Sequence, residues 1–473
     1  MQYLHPDVWS QVSTYLCAED IGILCSSNRR ICRYILNRTT RLFYTERVTR
    51  LFQEFPNLNT LMCSNMKHGV DLSLLPNTLT VLSLPEDSML MDNDLCNLPV
   101  SLTSLNLESN NNITDVGMSY LPPYLTYLSL KTNKKITDGG IYYLPRSLTH
   151  LNFGDNGNIT DEGISYLPPC LLYLNLEGNR NITDMGVVRL PNSLTYLNLS
   201  SNDEITDKGI YYLPRALIYL NLEFNYKIAD AGVADFPRSL IYLDLSWNNK
   251  ITDAGIFHLP PSLTYLNLGI NENIMDDTLR NLPRSLIFLN LYRNDKITDD
   301  AVRNLPRSLT SLNLCCNNKI TDKGVHDLPP SLTYLNLEFN QNITDVGVTA
   351  FPRSLTFLNL HMSDNITDAG IPDLPPSLTS LCLGDNNKIT DDAVRYLPRS
   401  LTFLDLSANE NITDKGVPDL PPSLTSLNLY HNKKITEAAL PHFPRSLTSL
   451  DLDGRYTRLT INEFPFFRLI KLN

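Results

Sequence analysis

The side chains best suited to chemistry fall into two groups, one scattered and one repeated. Nine cysteines, at 17, 25, 32, 63, 96, 170, 315, 316 and 382, form no C-x-x-C pair, and eight histidines show no paired-ligand spacing. No nucleophile with a nearby base and no glycine-rich phosphate loop stands outside the repeating pattern. Cys315-Cys316 is an isolated pair that reads as neutral substitution at exposed positions and not as a metal site. Other polar groups recur at one fixed interval. Asparagine stands at 110, 133, 156, 179, 202, 225, 248, 271, 294, 317, 340, 386, 409 and 432, with a Thr-Asp pair four residues later in most copies. An aromatic ring stands six residues earlier in many, at 127, 173, 196, 219, 242, 265, 288, 334, 357 and 403. Groups repeated this way suit structure and binding. No enzymatic activity, metal or cofactor is expected.

The interval is 23 residues. Prolines mark it from 76 through 99, 122 and onward to 444, seventeen in all, without an insertion or deletion. A fixed period of this length is the mark of a solenoid, which buries one core along its axis. Counting from each proline, leucine occupies +3, +6 and +8, as in Leu194, Leu197 and Leu199. The alternation at +6 and +8 has strand period. With asparagine at +11 the unit reads L-x-x-L-x-L-x-x-N, and Asp87, Ser363 and Arg455 are the exceptions in that last column.

Each column has a structural task. The +11 asparagine carries both a donor and an acceptor, so it can satisfy backbone groups left over where the strand ends. Thr or Asp at +15 and +16, as in Thr321-Asp322, can cap a short helix. Gly or Ala at +18 lets coils approach closely, aliphatics at +19 and +22 point to the core, and the next proline ends the helix. Arginine follows the proline at 146, 215, 238, 284, 307, 353, 399 and 445. Its regularity reads as a solvated edge held by nearby acidic side chains, with phosphate binding as a weaker option.

The Asn-x-x-Ile-Thr-Asp-x-Gly-Ile/Val-x-x-Leu pattern resembles the cysteine-containing class of leucine-rich repeats, with asparagine where that class prefers cysteine. The Leu-Pro-x-Ser-Leu half is similar to repeats abundant in giant DNA viruses and amoebae. The resemblance implies an α/β fold, a leucine-rich-repeat solenoid or horseshoe, with a parallel concave sheet and short convex helices. Residues 1–50 differ. They are apolar at helical spacing, and Leu4-His5-Pro6-Asp7-Val8-Trp9 through Val12 and Leu16, then Asp20-Ile21, Leu24 and Arg29-Arg30-Ile31, resembles an F-box. His5 holds that family's usual proline position and Ile31 its usual tryptophan position. The resemblance implies that Leu4, Pro6, Val8, Trp9, Val12, Leu16, Ile21 and Leu24 dock an Skp1-like adaptor. A helical cap over the first coil is the alternative. The expected organisation is therefore an F-box-like helical segment at 1–50, a degenerate capping repeat at 51–75, seventeen units over 76–452, and a capping strand within 453–473.

Exposed strand positions are expected at +5, +7, +9 and +10. The +5 aromatics, Tyr219, Tyr242 and Tyr265 among them, read either as a recognition stripe or as rings stacking on their own neighbours. Columns +9 and +10 vary most, so specificity should reside there. Phe224, Trp247 and Ile270 fall at +10 in consecutive coils, followed by Tyr292 with Arg293, then Phe339 and Met362. Glu108, Glu177, Glu223 and Glu338 at +9 give the face a negative cast that favours a partner with basic groups.

A net charge of −11 argues against a nucleic-acid partner. No stretch reaches the roughly 20 apolar residues of a membrane span, and the opening residues lack a basic n-region. An intracellular, cytoplasmic monomer is expected, in the host cytoplasm if the chain is viral. The function implied is that of a substrate receptor of a cullin-type ubiquitin ligase, with the adaptor on residues 1–50 and a protein target on the concave face. A plain interaction scaffold is the alternative. A similarity to bacterial Leu-Pro-type repeat ligases would demand a large catalytic domain, for which residues 1–50 and 453–473 leave no space.

Overall fold

The computed structural model describes residues 41–45, 57–64, 71–84, 86, 89–452 and 471–472. The eight residues expected to dock an adaptor, and the helices expected around them, lie outside the described residues. The chain divides into two compact units, Met1–Lys227 with Asp235–Leu240, and Ile228–Ala234 with Ile241–Asn473.

In the first unit, strands Arg41–Thr45 and Thr60–Ser64 precede Val81–Ser83, after which three-residue strands follow every 23 residues to Tyr219–Asn221. In the second they run from Tyr242–Asp244 to Ser449–Asp451, with Lys471–Leu472 last. Within each unit every neighbouring pair is parallel and in register along the repeat, so Tyr265 faces Phe288 and Leu266 faces Leu289. The pairs Arg41 with Thr60 and Thr60 with Val81 show that the first coils are shorter than the repeat. One expectation is corrected here. The last residues of the segment read as helical, Arg41-Leu42-Phe43-Tyr44-Thr45, form a strand, as suits their aromatic and β-branched content.

The core follows from the leucine columns. In the coil from Pro191, Leu194, Leu197, Leu199, Ile205 and Ile210 are fully buried and Leu213 nearly so. Each contributes roughly 1.5–3 kcal/mol on burial. Opposite the strands lie helices of only four or five residues, such as Asp161–Ile164 and Asp184–Val188. Where proline sits inside this turn, at Ile371–Asp373 and Val417–Asp419, it winds as a 3-10 helix, because proline supplies no N–H to an α-helical ladder.

What joins coil to coil is a set of side-chain ladders. Asn294 Nδ2 donates to the Leu268 carbonyl of the preceding coil at 2.9 Å, and its Oδ1 accepts from the Asn271 N–H at 2.9 Å. The serine two residues after most of these prolines donates to a carbonyl of the preceding coil, as in Ser308 Oγ to Leu286 O at 2.6 Å. Each Thr N-cap is itself held by the aspartate of the coil before it. Thr137 N donates to Asp115 Oδ1 at 2.7 Å and its hydroxyl to Oδ2 at 2.6 Å. That carboxylate occupies the space beside the following helix. A Cβ at Gly140 would lie 2.6 Å from Asp115 Oδ1, which is why glycine dominates this column. Among the described residues no helix is long and apolar enough to cross a membrane.

The arginine after the proline has a different role from the one expected. Arg215 donates to the Asp235 carbonyl at 2.8 Å and the Tyr211 carbonyl at 2.7 Å. Arg399 repeats this with Asp419 at 3.0 Å and Arg395 at 3.2 Å. In these coils it therefore caps the carbonyl ends of two successive short helices, its donors taken up by backbone oxygens.

Met91, Ala229 and Met275 stand where the other described coils carry the capping threonine, and the coil of Met275 repairs the loss. Met275 stands at +15, and the buried Thr278 replaces glycine at +18. Met275 N still donates to Asp253 Oδ1 at 3.0 Å, and the Thr278 hydroxyl donates to that same oxygen. Thr278→Val should lower stability by about 1.5–3 kcal/mol, the worth of a hydrogen bond to a charged acceptor, with Asp253 Oδ1 keeping the Met275 N–H. Adding Met275→Thr with glycine at 278 should recover most of the loss. Urea-unfolding midpoints of wild type and the two variants measure both effects.

Candidate partner-binding face

On the strands, side chains at +5, +7 and +9 project away from the leucine core. The +5 rings are stacked on one another. Tyr173–Tyr196 and Tyr196–Tyr219 centroids are each 4.0 Å apart with planes within 16° and 10° of parallel. In the second unit Tyr242–Tyr265 lie 4.0 Å apart, Tyr265–Phe288 4.1 Å and Tyr334–Phe357 4.3 Å. The self-stacking alternative therefore holds for these rings. Each covers its neighbour's face and offers solvent an edge. Burial, with the hydrogen bond to Tyr219, pushes the Tyr196 hydroxyl up to about 12.

Column +7 is not an exposed recognition column. Asn175, Asn198 and Asp244 are buried. Their oxygens accept the N–H two residues on, as in Asn290 Oδ1 from Tyr292 N at 2.9 Å and Asn336 Oδ1 from Glu338 N at 3.0 Å. This Asx turn ends the strand.

The turn drives +10 into the left-handed region. The φ angles are 58° at Phe224, 60° at Trp247, 55° at Ile270, 54° at Arg293, 62° at Cys316, 60° at Phe339 and 55° at Met362. Position +10 was expected on a strand, and this is a correction. Its N–H nevertheless prolongs the ladder, since Trp247 donates to Gly269 O at 3.0 Å, Ile270 to Tyr292 O at 2.8 Å and Arg293 to Cys315 O at 2.9 Å. A left-handed residue with a Cβ costs roughly 1–2 kcal/mol, least for Gly, Asn and Asp. In the first unit the column reads Ser109, Thr132, Asp155, Gly178 and Ser201 before Phe224. In the second it reads Trp247, Ile270, Arg293, Cys316, Phe339 and Met362, then Asp385, Ala408 and His431, so the bulky residues are concentrated in its first six coils.

Tyr219 and Phe224 belong to the first unit, where the Phe224 ring lies 6.3 Å from that of Tyr226. Tyr242, Trp247, Tyr265, Ile270, Tyr292, Arg293, Phe339 and Met362 belong to the second. There Trp247, Ile270 and Arg293 occupy successive coils, and Phe339 and Met362 follow two coils further on. Cys316, missed in the sequence, completes this row between Arg293 and Phe339, and its sulfur lies 3.4 Å from that of the buried Cys315. Burial and the neighbouring thiol push the Cys315 thiol up.

The acidic column differs between the units. In the first, Lys131 Nζ lies 3.2 Å from Glu177 Oε2 and 3.6 Å from Asp155 Oδ2, which offsets much of the negative cast. In the second, Glu338 Oε2 accepts from Asn359 Nδ2 at 3.1 Å. Burial, then the carboxylates of Asp405 and Glu338, push the Cys382 thiol up to about 12. Among the described residues no group of three or more His, Cys, Asp or Glu side chains could hold a metal ion.

The Leucine Rich repeat family model matches this chain at residues 100–121, 145–167, 168–190, 191–213, 237–259, 306–328, 329–351 and 398–418. The fold is a leucine-rich-repeat solenoid. Among solved structures, this solenoid is similar to that of the TLR13–ssRNA13 complex, with a TM-score of 0.59 and 24% identity, covering 92% of this chain and 66% of that one. It thus spans just under two thirds of that relative's length, and the likeness is one of fold. An internalin (inlF) from Listeria monocytogenes is 28% identical with a TM-score of 0.49, over 67% of this chain and 88% of that one. The Rad7 and Elc1 complex in yeast is 22% identical with a TM-score of 0.46, over 66% and 83%. No curated protein matches this chain.

If the bulky +10 residues serve binding and not folding, Ile270→Gly should leave the unfolding midpoint unchanged or raise stability by up to about 1 kcal/mol. Leu266→Ala, one strand position of the core in the same coil, should cost about 2–5 kcal/mol. Thermal denaturation of the two variants side by side checks the contrast.

Proposed function

We propose that this chain is a non-catalytic interaction scaffold whose second unit holds a protein partner on its +9 and +10 columns. One observation carries the reading. Trp247, Ile270, Arg293, Phe339 and Met362 sit at left-handed backbone positions, where Gly, Asn or Asp would be less strained, and where the coils of the first unit before Phe224 carry Ser, Thr, Asp or Gly. Strain of this kind persists where a surface serves something besides stability. Large aromatic, aliphatic and arginine side chains are also those that anchor protein interfaces.

In its fuller form the reading makes the protein a substrate receptor of a cullin-type ubiquitin ligase. Residues 1–50 would dock an Skp1-like adaptor through Leu4, Pro6, Val8, Trp9, Val12, Leu16, Ile21 and Leu24, while the repeat face presents the target. The support for this is the F-box-like motif in the sequence together with a repeat class typical of F-box proteins.

Two substitutions separate the parts. Purified Skp1-like adaptor should be retained by the full chain and lost at least tenfold on Trp9→Asp with Leu16→Asp. No retention by wild type, where a known F-box protein retains it, would remove the ligase reading and leave the scaffold. Trp247→Ala with Phe339→Ala should abolish capture of the protein partner at an unchanged unfolding midpoint. Equal capture by that variant would remove the +10 row as the binding surface.

A further inference from the structure

The aromatic column of the second unit is interrupted twice, and the interruptions have the dimensions of a binding slot. Strand register places Ser311 directly between Phe288 and Tyr334, and Ser380 directly between Phe357 and Phe403. Phe288 is covered on its far side by Tyr265, as Tyr334 and Phe357 are covered by each other. At each serine a hydroxymethyl stands where the neighbouring coils carry rings, and Ser311, Ser380 and the four flanking rings are all partly exposed. Parallel strands lie about 4.8 Å apart, so the rings flanking each serine are anchored about 10 Å apart. A planar group needs about 3.5–4.0 Å on each face, or about 7–8 Å in all. One plane fits in each slot, between two aromatic faces.

Charge selects the plane. Glu338 stands on the coil that carries Tyr334, and Asp405 on the strand that carries Phe403. The field of Glu338 reaches Tyr334 and Cys382, and that of Asp405 reaches Cys382. A guanidinium is planar, permanently cationic and stacks on aromatic faces, whereas a nucleobase brings phosphate into this field. Spacing selects the chain. Ser311 and Ser380 are three strands apart, about 14 Å, which is the span of four residues in an extended chain at about 3.4 Å each. An even separation also turns both side chains to the same face.

We propose that the second unit binds an extended peptide crossing its strands, with arginines at positions i and i+4 seated in the Ser311 and Ser380 slots. This deepens the scaffold reading and rests on it, but uses +5 residues that the +10 test leaves intact.

The test is fluorescence polarisation of the full chain with a labelled nonapeptide carrying arginines four apart in an otherwise Ser/Thr background. Ser311→Phe and Ser380→Phe fill the slots by completing the stack, and unfolding midpoints confirm that each variant folds. The arginine peptide should bind at least tenfold more tightly than peptides with lysines at the same places or arginines three apart, and either substitution should weaken it at least tenfold. Equal binding of the lysine peptide, undiminished binding by the double variant, or preference for a single-stranded oligonucleotide of the same length would overturn the proposal. The +10 row is judged separately, by partner capture with Trp247→Ala and Phe339→Ala.

Discussion

The aspartate that opens each short helix does its main work in the coil that follows. Its two oxygens take the backbone N–H and the hydroxyl of the next threonine, as Asp276 does for Thr298 at 2.8 and 2.7 Å. A helix of four residues cannot hold itself, since forming one turn fixes many dihedrals for few hydrogen bonds. Here its cap is fixed from outside before the turn closes. The asparagine and serine ladders apply the same logic at the other bends. The side-chain amide N–H groups of the +11 asparagines, the +2 serine hydroxyls and the threonine caps find their partners in a neighbouring coil. The Oδ1 atoms of Asn133, Asn156, Asn179 and Asn340 have none among the described residues. No coil is therefore complete alone, and adding a coil completes the one beside it. This is the physical content of nearest-neighbour stability in a solenoid.

The same constraint decides which positions are available for recognition. The leucines, the +11 asparagine, the serine and the Thr-Asp pair are committed to packing or to the ladders. The +7 asparagine is committed as well, because it forms the turn that ends the strand. The +5 rings stack on each other. Apart from the gaps in that stack at Ser311 and Ser380, what remains is the +9 and +10 pair, where the backbone is held by bonds that do not depend on the side chain. The N–H at +10 goes to the next coil for residues as different as Gly178, which donates to Ser200 O, and Trp247, which donates to Gly269 O, so the column tolerates either. Large side chains are then placed at the rim of the sheet by a scaffold that does not need them, which is the condition for a surface to diversify.

Much of this was legible in the sequence. A 23-residue period with leucine at +3, +6 and +8 dictates parallel strands in register, and the burial of Leu194, Leu197 and Leu199 follows directly. The donor and acceptor pair on asparagine and the N-cap on threonine were readable from side-chain chemistry. Three features were not. The left-handed backbone at Ile270 is hidden because its residue type argues against it, and only the asparagine three positions earlier, Asn267, hints at the turn. The role of arginines such as Arg215 was misjudged because their partners are carbonyls, which have no signature in composition. The substitution of Thr278 for the missing threonine at Met275 needs the geometry of the preceding coil's Asp253. In each case the deciding geometry lies in a neighbouring coil or on the backbone, where a linear pattern carries no record.

The direction of the capping gives the account its most direct measurement. Hydrogen–deuterium exchange of Asp276→Ala against wild type reports which coil loses protection. If the coils are held by side chains reaching forward, protection should fall at Thr298 and through Asp299–Val302 of the following coil, with the strand Tyr265–Asn267 of the aspartate's own coil little changed. Loss confined to residues 276–280, with Thr298 as protected as before, would contradict it.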